Sequence, residues 1–118
     1  MAETRPRRES HLTALDPALG HEIKKTRPTL IIQNDISNQH GSTTIVAAIT
    51  YKVSTPPYPN EALIHPGGSG LHLTSTVRLD QLRTIDRQRL LKRLGAVDGA
   101  TLRQVDQAIK ASLGLVSM

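Results

Sequence analysis

The sequence contains no cysteine, phenylalanine or tryptophan, and Tyr51 and Tyr58 are its two aromatic residues. Without cysteine it has neither a disulfide nor a thiolate metal site, a composition that fits a reducing cytoplasm. With so few aromatic rings, the usual stacking platform of a single-strand nucleic-acid binder is largely missing. Binding of nucleic acid would therefore depend on charge and hydrogen bonds.

Long apolar segments and metal-ligand spacings are missing as well. No stretch approaches the roughly 18 apolar residues of a membrane span, and the basic start "MAETRPRRESHL" lacks the apolar segment of a signal peptide. The five histidines show no recognised ligand spacing. We therefore expect no membrane contact, no metal and no other cofactor.

Positive charge is in excess, with 15 Lys and Arg against 10 Asp and Glu, a formal charge of +5. This balance favours a polyanion such as RNA or DNA, or an acidic protein partner. The length of 118 residues is that of one domain, in which we expect residues 1–10 to form a poorly ordered tail.

Alternating and β-branched segments predict six short strands, which lie at 11–15, 29–34, 43–51, 61–64, 74–82 and 91–97. The polar stretch 35–42 and the stretch 54–72, rich in proline and glycine, are predicted to be connections, with "GGSG" (67–70) as a flexible hairpin tip. Residues 86–90 suit a single helical turn. The pattern indicates an α+β, mainly β domain whose antiparallel sheet curls into a small barrel.

The clearest helix is at the C-terminal end of the sequence. Asp98 is its predicted N-cap, and Gly114 can terminate it. Its apolar stripe has roughly helical spacing and consists of Leu102, Val105, Ile109 and Leu113. We therefore expect one helix packed against the barrel.

Charge is concentrated in "GHEIKKTRP" (20–28), directly before the apolar run "TLIIQ". Two interpretations are open, a solvated basic loop and a site that binds a negative group. A second charged pair lies on the strand 74–82, where Arg78 and Asp80 point away from Val77 and Leu79. That pair fits a surface ion pair or part of the same site.

Three blocks resemble the signature blocks of the MazF/PemK family: "LDPALGHEIKKTRP" (15–28), "TTIVAAIT" (43–50) and "VRLDQLRTID" (77–86). The resemblance extends in order over residues 12–115. Members of this family are bacterial toxins that act as sequence-specific mRNA endonucleases. The resemblance implies a cytoplasmic bacterial toxin with an SH3-like barrel close to that of CcdB, a homodimer, and a cognate antitoxin with an acidic tail.

The resemblance also implies the catalytic residues. Arg27 matches the arginine of the "TRP" motif, and Thr50 matches the threonine that ends "AAIT". In the Kid/PemK branch, residues that match Arg78 and Asp80 have acid and base roles, and the histidine that matches His21 assists. On chemical grounds Asp80 and His21 are both candidates for the base.

RNA contacts are expected around this catalytic set. Lys24 and Lys25 are predicted to hold flanking phosphates without reading sequence. The other predicted RNA-binding residues are His21, Glu22 and Gln81.

The start of the chain departs from the family pattern, which runs basic residue, glycine, acid, aliphatic residue, aromatic residue. Here the stretch is "RRESHLTAL", in which the glycine and the aromatic residue are absent and the block looks one residue short. The start of the first strand is therefore the least defined part of the comparison.

The expected reaction is metal-independent cleavage of single-stranded RNA. The 2′-OH attacks the neighbouring phosphate, which leaves a 2′,3′-cyclic phosphate and a 5′-OH end. Two alternatives remain, a basic SH3-like module that binds RNA or protein without cutting, and a gyrase poison like CcdB. The presence of Arg27 and Thr50 favours the endoribonuclease.

Overall fold

The computed structural model describes residues 6–17, 19–22 and 25–116. Six strands pair antiparallel in one sheet with the order β4-β5-β3-β2-β1-β6. The strands are β1 (Glu9–Ala14), β2 (Thr26–Ile31), β3 (Thr43–Thr50), β4 (Glu61–Ile64), β5 (Ser75–Asp86) and β6 (Leu90–Ala96). The helices are α1 (Asp35–His40) and α2 (Gly99–Ser112), and a 3₁₀ turn (Arg87–Arg89) joins β5 to β6. The prediction of a mainly β, α+β fold with a C-terminal helix is confirmed.

The "GGSG" segment connects the two edges of the sheet and is not a flexible tip. The Ala96 N–H of β6 donates to the Gly68 carbonyl at 2.9 Å. A Cβ on Gly70 would lie 2.1 Å from the Leu94 carbonyl oxygen, and one on Gly95 would lie 2.1 Å from the Gly68 carbonyl oxygen. Two glycines are thus required because the backbones touch where the sheet curls on itself.

The main core lies between one face of the sheet and α2. Leu30, Ile49, Val77, Leu79 and Val105 are among its buried members. Burial of apolar side chains on both elements fixes the helix against the sheet. The opposite face of the central strands carries a smaller apolar cluster, Ile31, Val46 and Ile85, and polar side chains lie beside it.

Helix α2 begins and ends as predicted, but its apolar stripe is different. The Asp98 carboxylate accepts from the Thr101 N–H at 2.8 Å, and Gly114 has a φ of +74° just beyond the last turn. Leu113 is 59% exposed, whereas Ala108 and Ala111 are buried. The close approach of the helix to the sheet selects small residues over the leucine.

Helix α1 was not predicted, because residues 35–42 were interpreted as a polar connection. Its start is set by the Asn34 side chain, which accepts from the Ser37 N–H at 2.8 Å. Its one buried side chain is polar: Asn38 accepts from the Thr44 hydroxyl at 2.7 Å and donates to the Gln33 carbonyl at 2.9 Å. This helix has no apolar face, and hydrogen bonds fix its position instead.

The ordered chain starts earlier than expected, which corrects the prediction of a tail for residues 6–10. Glu9 and Ser10 belong to β1, and Arg7 donates from Nε to the Ile32 carbonyl at 2.7 Å. Residues 1–5 lie outside the described residues. Arg8 has a φ of +89°, the conformation that favours glycine, directly before the acid Glu9. Arg8 is thus an arginine in a backbone conformation that usually selects glycine.

We expect Arg8→Gly to raise the free energy of unfolding by about 1 kcal/mol, since the positive φ costs an L-residue roughly that much. Backbone hydrogen bonds at both ends of Arg8, to Ile31 and from Val97, hold this conformation in place. Chemical denaturation of both proteins measures the change. Arg8→Ala is the control, because it removes the side chain and keeps the strain. Equal stabilisation by both substitutions would contradict the role of the backbone.

Candidate active site

Arg27 and Thr50 come from adjacent strands, β2 and β3, and both lie just beyond the point where the pairing of these strands ends. β2 and β3 pair antiparallel, with Thr29 opposite Ala48. The same register continued by two residues places Arg27 opposite Thr50. Opposite residues of an antiparallel pair share a face of the sheet. The register therefore brings together two residues that are far apart in the sequence, on the face that α2 leaves uncovered.

Thr50 is half-buried at the end of β3, and Arg27 is exposed in β2. The Thr50 Oγ1 accepts from the Lys52 N–H at 3.3 Å. Because the oxygen is used as an acceptor here, its own hydrogen can point to a ligand. Arg27 and Thr50 thus present a planar cation and a neutral donor to the same space.

Arg78 and Asp80 lie on the same face of β5 and form a bidentate ion pair. Arg78 is opposite Ala48, and its Nε and Nη2 donate to the two Asp80 carboxylate oxygens at 2.9 and 2.7 Å. Val77 and Leu79 are fully buried on the other side, so the predicted alternation is confirmed. The pair is not an isolated surface contact, because it borders the cleft that contains Thr50.

Each partner of this pair holds the other in its charged form. The hydrogen bond from Arg78 lowers the pKa of Asp80 below its usual value, although partial burial opposes the shift. The same bond raises the pKa of Arg78. At neutral pH the guanidinium is therefore a very weak acid and the carboxylate stays ionised.

A bulge in β5 lets Asp80 and Gln81 reach the same side of the sheet. Ala47 pairs with Leu82 and the next residue, Ala48, pairs with Arg78, so residues 79–81 lie opposite a single step of β3. Gln81 and Asp80 line a second cleft of about 200 Å³ together with Glu22. The bulge thus connects the β5 residues to the charged loop.

Two arginines that sequence analysis did not single out hold the start of that loop. Arg83 donates to the carbonyls of Leu15 and Pro17, the latter at 2.9 Å. Arg89 donates from Nη1 to the carbonyls of Ala14 at 3.1 Å and Asp16 at 2.5 Å. The signal available in the sequence was their place in "LRTIDRQR", next to the block that carries Asp80.

The predicted RNA-binding residues of the loop have different surroundings. Glu22 accepts from the Leu19 N–H at 2.9 Å, so its carboxylate shapes the loop. The Lys25 N–H donates to the Asp16 carboxylate at 2.9 Å, and Lys25 has a φ of +68°. His21 is exposed. Lys24 lies outside the described residues.

Known proteins resemble this chain over nearly its whole length. The family model for PemK-like, MazF-like toxins of type II toxin–antitoxin systems matches residues 7–113. The chain belongs to this family. It is 37% identical over 110 residues to endoribonuclease EndoA of Bacillus subtilis strain 168, a match that covers 93% of this chain and 95% of EndoA.

Solved structures share the fold. MazF from Deinococcus radiodurans has a TM-score of 0.79 at 22% identity, with 96% of this chain and 99% of that chain covered. An endoribonuclease from a mycobacterial species, in complex with its cognate antitoxin, has a TM-score of 0.79 at 23% identity, with 97% and 99% covered. The predicted family and fold are therefore confirmed.

Over residues 6–17, 19–22 and 25–116, no helix has the length and apolar character to cross a membrane. Within the same ranges, no group of three or more His, Asp or Glu side chains is placed to hold a metal ion.

Proposed function

We propose that this chain is the toxin of a type II toxin–antitoxin pair and cleaves single-stranded mRNA. The observation that supports the proposal is the β2–β3 register, whose last pair is Thr29 and Ala48 and which, continued by two residues, puts Arg27 and Thr50 on the same face of the sheet. Its membership of the PemK/MazF family and its similarity to EndoA support the reaction class. The alternatives, a non-cleaving module and a gyrase poison, have no use for this pair of residues.

The 2′-OH of the RNA attacks the adjacent phosphorus, and negative charge gathers on the phosphoryl oxygens. The planar guanidinium of Arg27 binds two of these oxygens at once, and the Thr50 hydroxyl donates a further hydrogen bond without added charge. The bond from phosphorus to the 5′-oxygen breaks, and this oxygen takes up a proton from solvent, so the products are a 2′,3′-cyclic phosphate and a 5′-OH end. Donors placed in advance where charge develops stabilise the transition state.

Arg78 and Asp80 act on this reaction as a unit. Within the described parts of the chain, Asp80 binds Nε and Nη2 of Arg78 and leaves Nη1 for a phosphate oxygen. The raised pKa of Arg78 favours charge stabilisation over proton donation. Asp80 stays ionised and is our candidate for the acceptor of the 2′-OH proton, with His21 of the loop as the second candidate.

The test is to incubate the purified protein with a long single-stranded RNA in EDTA and to identify the ends. We expect cuts at a short sequence motif, with 2′,3′-cyclic phosphate and 5′-OH termini, at a rate that EDTA does not change. The wild-type protein with added Mg²⁺ is the control. Activity that disappears in EDTA and returns with Mg²⁺ or Zn²⁺, or products with a 3′-OH, would contradict the mechanism.

The proposed partners are a second copy of this chain and a cognate antitoxin whose acidic tail lies across the same site. The support is the formal charge of +5, to which Lys25 and Arg27 at the start of β2 and Lys52 just after β3 contribute. An acidic segment that orders on binding could cover this surface.

We expect RNA and the antitoxin tail to compete. The Thr50→Ala protein suits the measurement, because it keeps every charge and should not cut the RNA. Titration of the tail into the RNA complex should release the RNA, and the apparent affinity of the tail should fall as salt rises. A stable ternary complex with unchanged RNA affinity would place inhibition elsewhere.

A further inference from the structure

Both aromatic residues of the chain are exposed, and both are close to Thr50. Tyr51 follows Thr50 directly and is 48% exposed. Tyr58 is 63% exposed and lines a cleft of about 450 Å³ together with Thr50, Arg78 and Asp80. Neither tyrosine ring is part of the hydrophobic core. An exposed tyrosine beside a site that handles RNA offers a flat surface on which a base can stack.

The cleft has no excess of positive charge. Its charged lining residues are two of each sign, Lys52 and Arg78 against Glu61 and Asp80. Beyond the Arg78 guanidinium assigned to the scissile phosphate, the cleft offers no excess positive charge for a further phosphate. A neutral cleft with a tyrosine and a proline, Pro59, in its wall suits an uncharged aromatic ring such as a nucleobase.

Glu61 is the polar group fixed inside this cleft, and no role has been assigned to it above. It lies opposite Arg78 in the register of β4 and β5, and its side chain is 11% exposed. Its Oε1 accepts from the Tyr58 N–H at 3.0 Å, and its Oε2 lies 3.9 Å from the Arg78 Nε. The carboxylate is therefore held in position, with acceptor capacity left on Oε2.

We propose that Tyr58 and Glu61 form a base-recognition subsite, an inference that rests on the proposed function. One RNA base next to the cut site stacks on the Tyr58 ring, and its Watson–Crick edge donates to the Glu61 carboxylate. The base carries an amino group. Guanine suits the site best, because its N1–H and N2–H can both donate to the carboxylate, one to Oε2 and one to the remaining lone pair of Oε1. Uracil has a single donor, N3–H, between two carbonyl oxygens that the carboxylate repels.

The test compares the cleavage motifs of the wild-type, Glu61→Gln, Tyr58→Ala and Tyr58→Phe proteins on an RNA pool with a randomised segment. We expect the wild-type motif to require an amino-bearing base at one position. Glu61→Gln should still cut, but its preference at that position should fall about tenfold or more, since a bidentate base contact discriminates by that order. The amide keeps the acceptor for the Tyr58 N–H.

The tyrosine variants separate stacking from hydrogen bonding. Tyr58→Ala should lower kcat/KM about tenfold or more, while Tyr58→Phe keeps the ring and should be near wild type. Asp35→Asn is the matched control for the loss of one negative charge. Asp35 lies in α1, next to the start of β3, whereas Thr50 lies at the other end of β3. A Glu61→Gln motif identical to the wild-type motif, or one relaxed at a uracil position, would overturn the subsite. A wild-type protein that cuts no RNA would refute the proposed function itself.

Discussion

We expect Arg27→Ala to lower the rate of RNA cleavage at least about a hundredfold while the protein stays folded. Arg27 lies two residues before the last β2–β3 pair, on the face of the sheet that carries Thr50. Loss of one preorganised donor at a developing oxyanion typically costs about 10²–10³ in rate. Because Arg27 is exposed, its truncation leaves no cavity in the core. Single-turnover rates on a defined RNA, paired with thermal melts, measure the effect.

Arg27→Lys is the matched control for charge. It keeps the positive charge but loses the fork that binds two phosphoryl oxygens, so its rate should lie between those of the alanine variant and the wild type. Cleavage by Arg27→Ala at close to the wild-type rate, with an unchanged melting temperature, would remove Arg27 from the catalytic set.

The second large effect concerns Thr50→Ala, for which we also expect a loss of at least about a hundredfold. Its Oγ1 already accepts from the Lys52 N–H, so the hydroxyl hydrogen is oriented away from the backbone and can donate to the phosphate. The loss should fall on kcat more than on KM, because the contact strengthens as charge develops.

Two further variants test whether the hydroxyl itself is required. Thr50→Ser keeps the donor and should retain most of the activity, whereas Thr50→Val keeps the branched shape and should behave like the alanine variant. A valine variant as active as the serine variant would show that Thr50 acts through packing alone.

Local chemistry explains which parts of the fold the sequence predicted. Asp98 caps the start of α2 and Gly114 follows its last turn with a positive φ. Both roles depend only on neighbouring residues, so the sequence predicted them. The alternation of Val77 and Leu79 with Arg78 and Asp80 was also predictable, because it depends on a single strand with one face against the core. Leu113 was assigned to the buried stripe incorrectly, because the distance between α2 and the sheet is a property of the whole fold.

The parts that were missed depend on contacts distant in sequence. α1 has no apolar periodicity, and its buried Asn38 is satisfied by groups on both sides of the helix. A positive φ is usually found at glycine, so the arginine at position 8 gave no sign of this conformation. The resemblance identified Arg27 and Thr50 as separate matches, and the strand register showed that they share a face of the sheet. Arg83 and Arg89 act through backbone carbonyls, which leave no sequence signature.

The β5 bulge constrains how the length of this chain can change. Three residues, 79–81, occupy one step of the partner strand, so the parity of inward and outward positions reverses there. Val77 and Leu82 therefore both face the main core although an odd number of positions separates them. Deleting one residue of 79–81, or all three, would make this spacing even, and both side chains would then reach the core by simple alternation. Deleting two would keep the spacing odd and would still require a bulge. Loss of Asp80 or of Gln81 alone therefore need not turn the buried side chains of β5 outward.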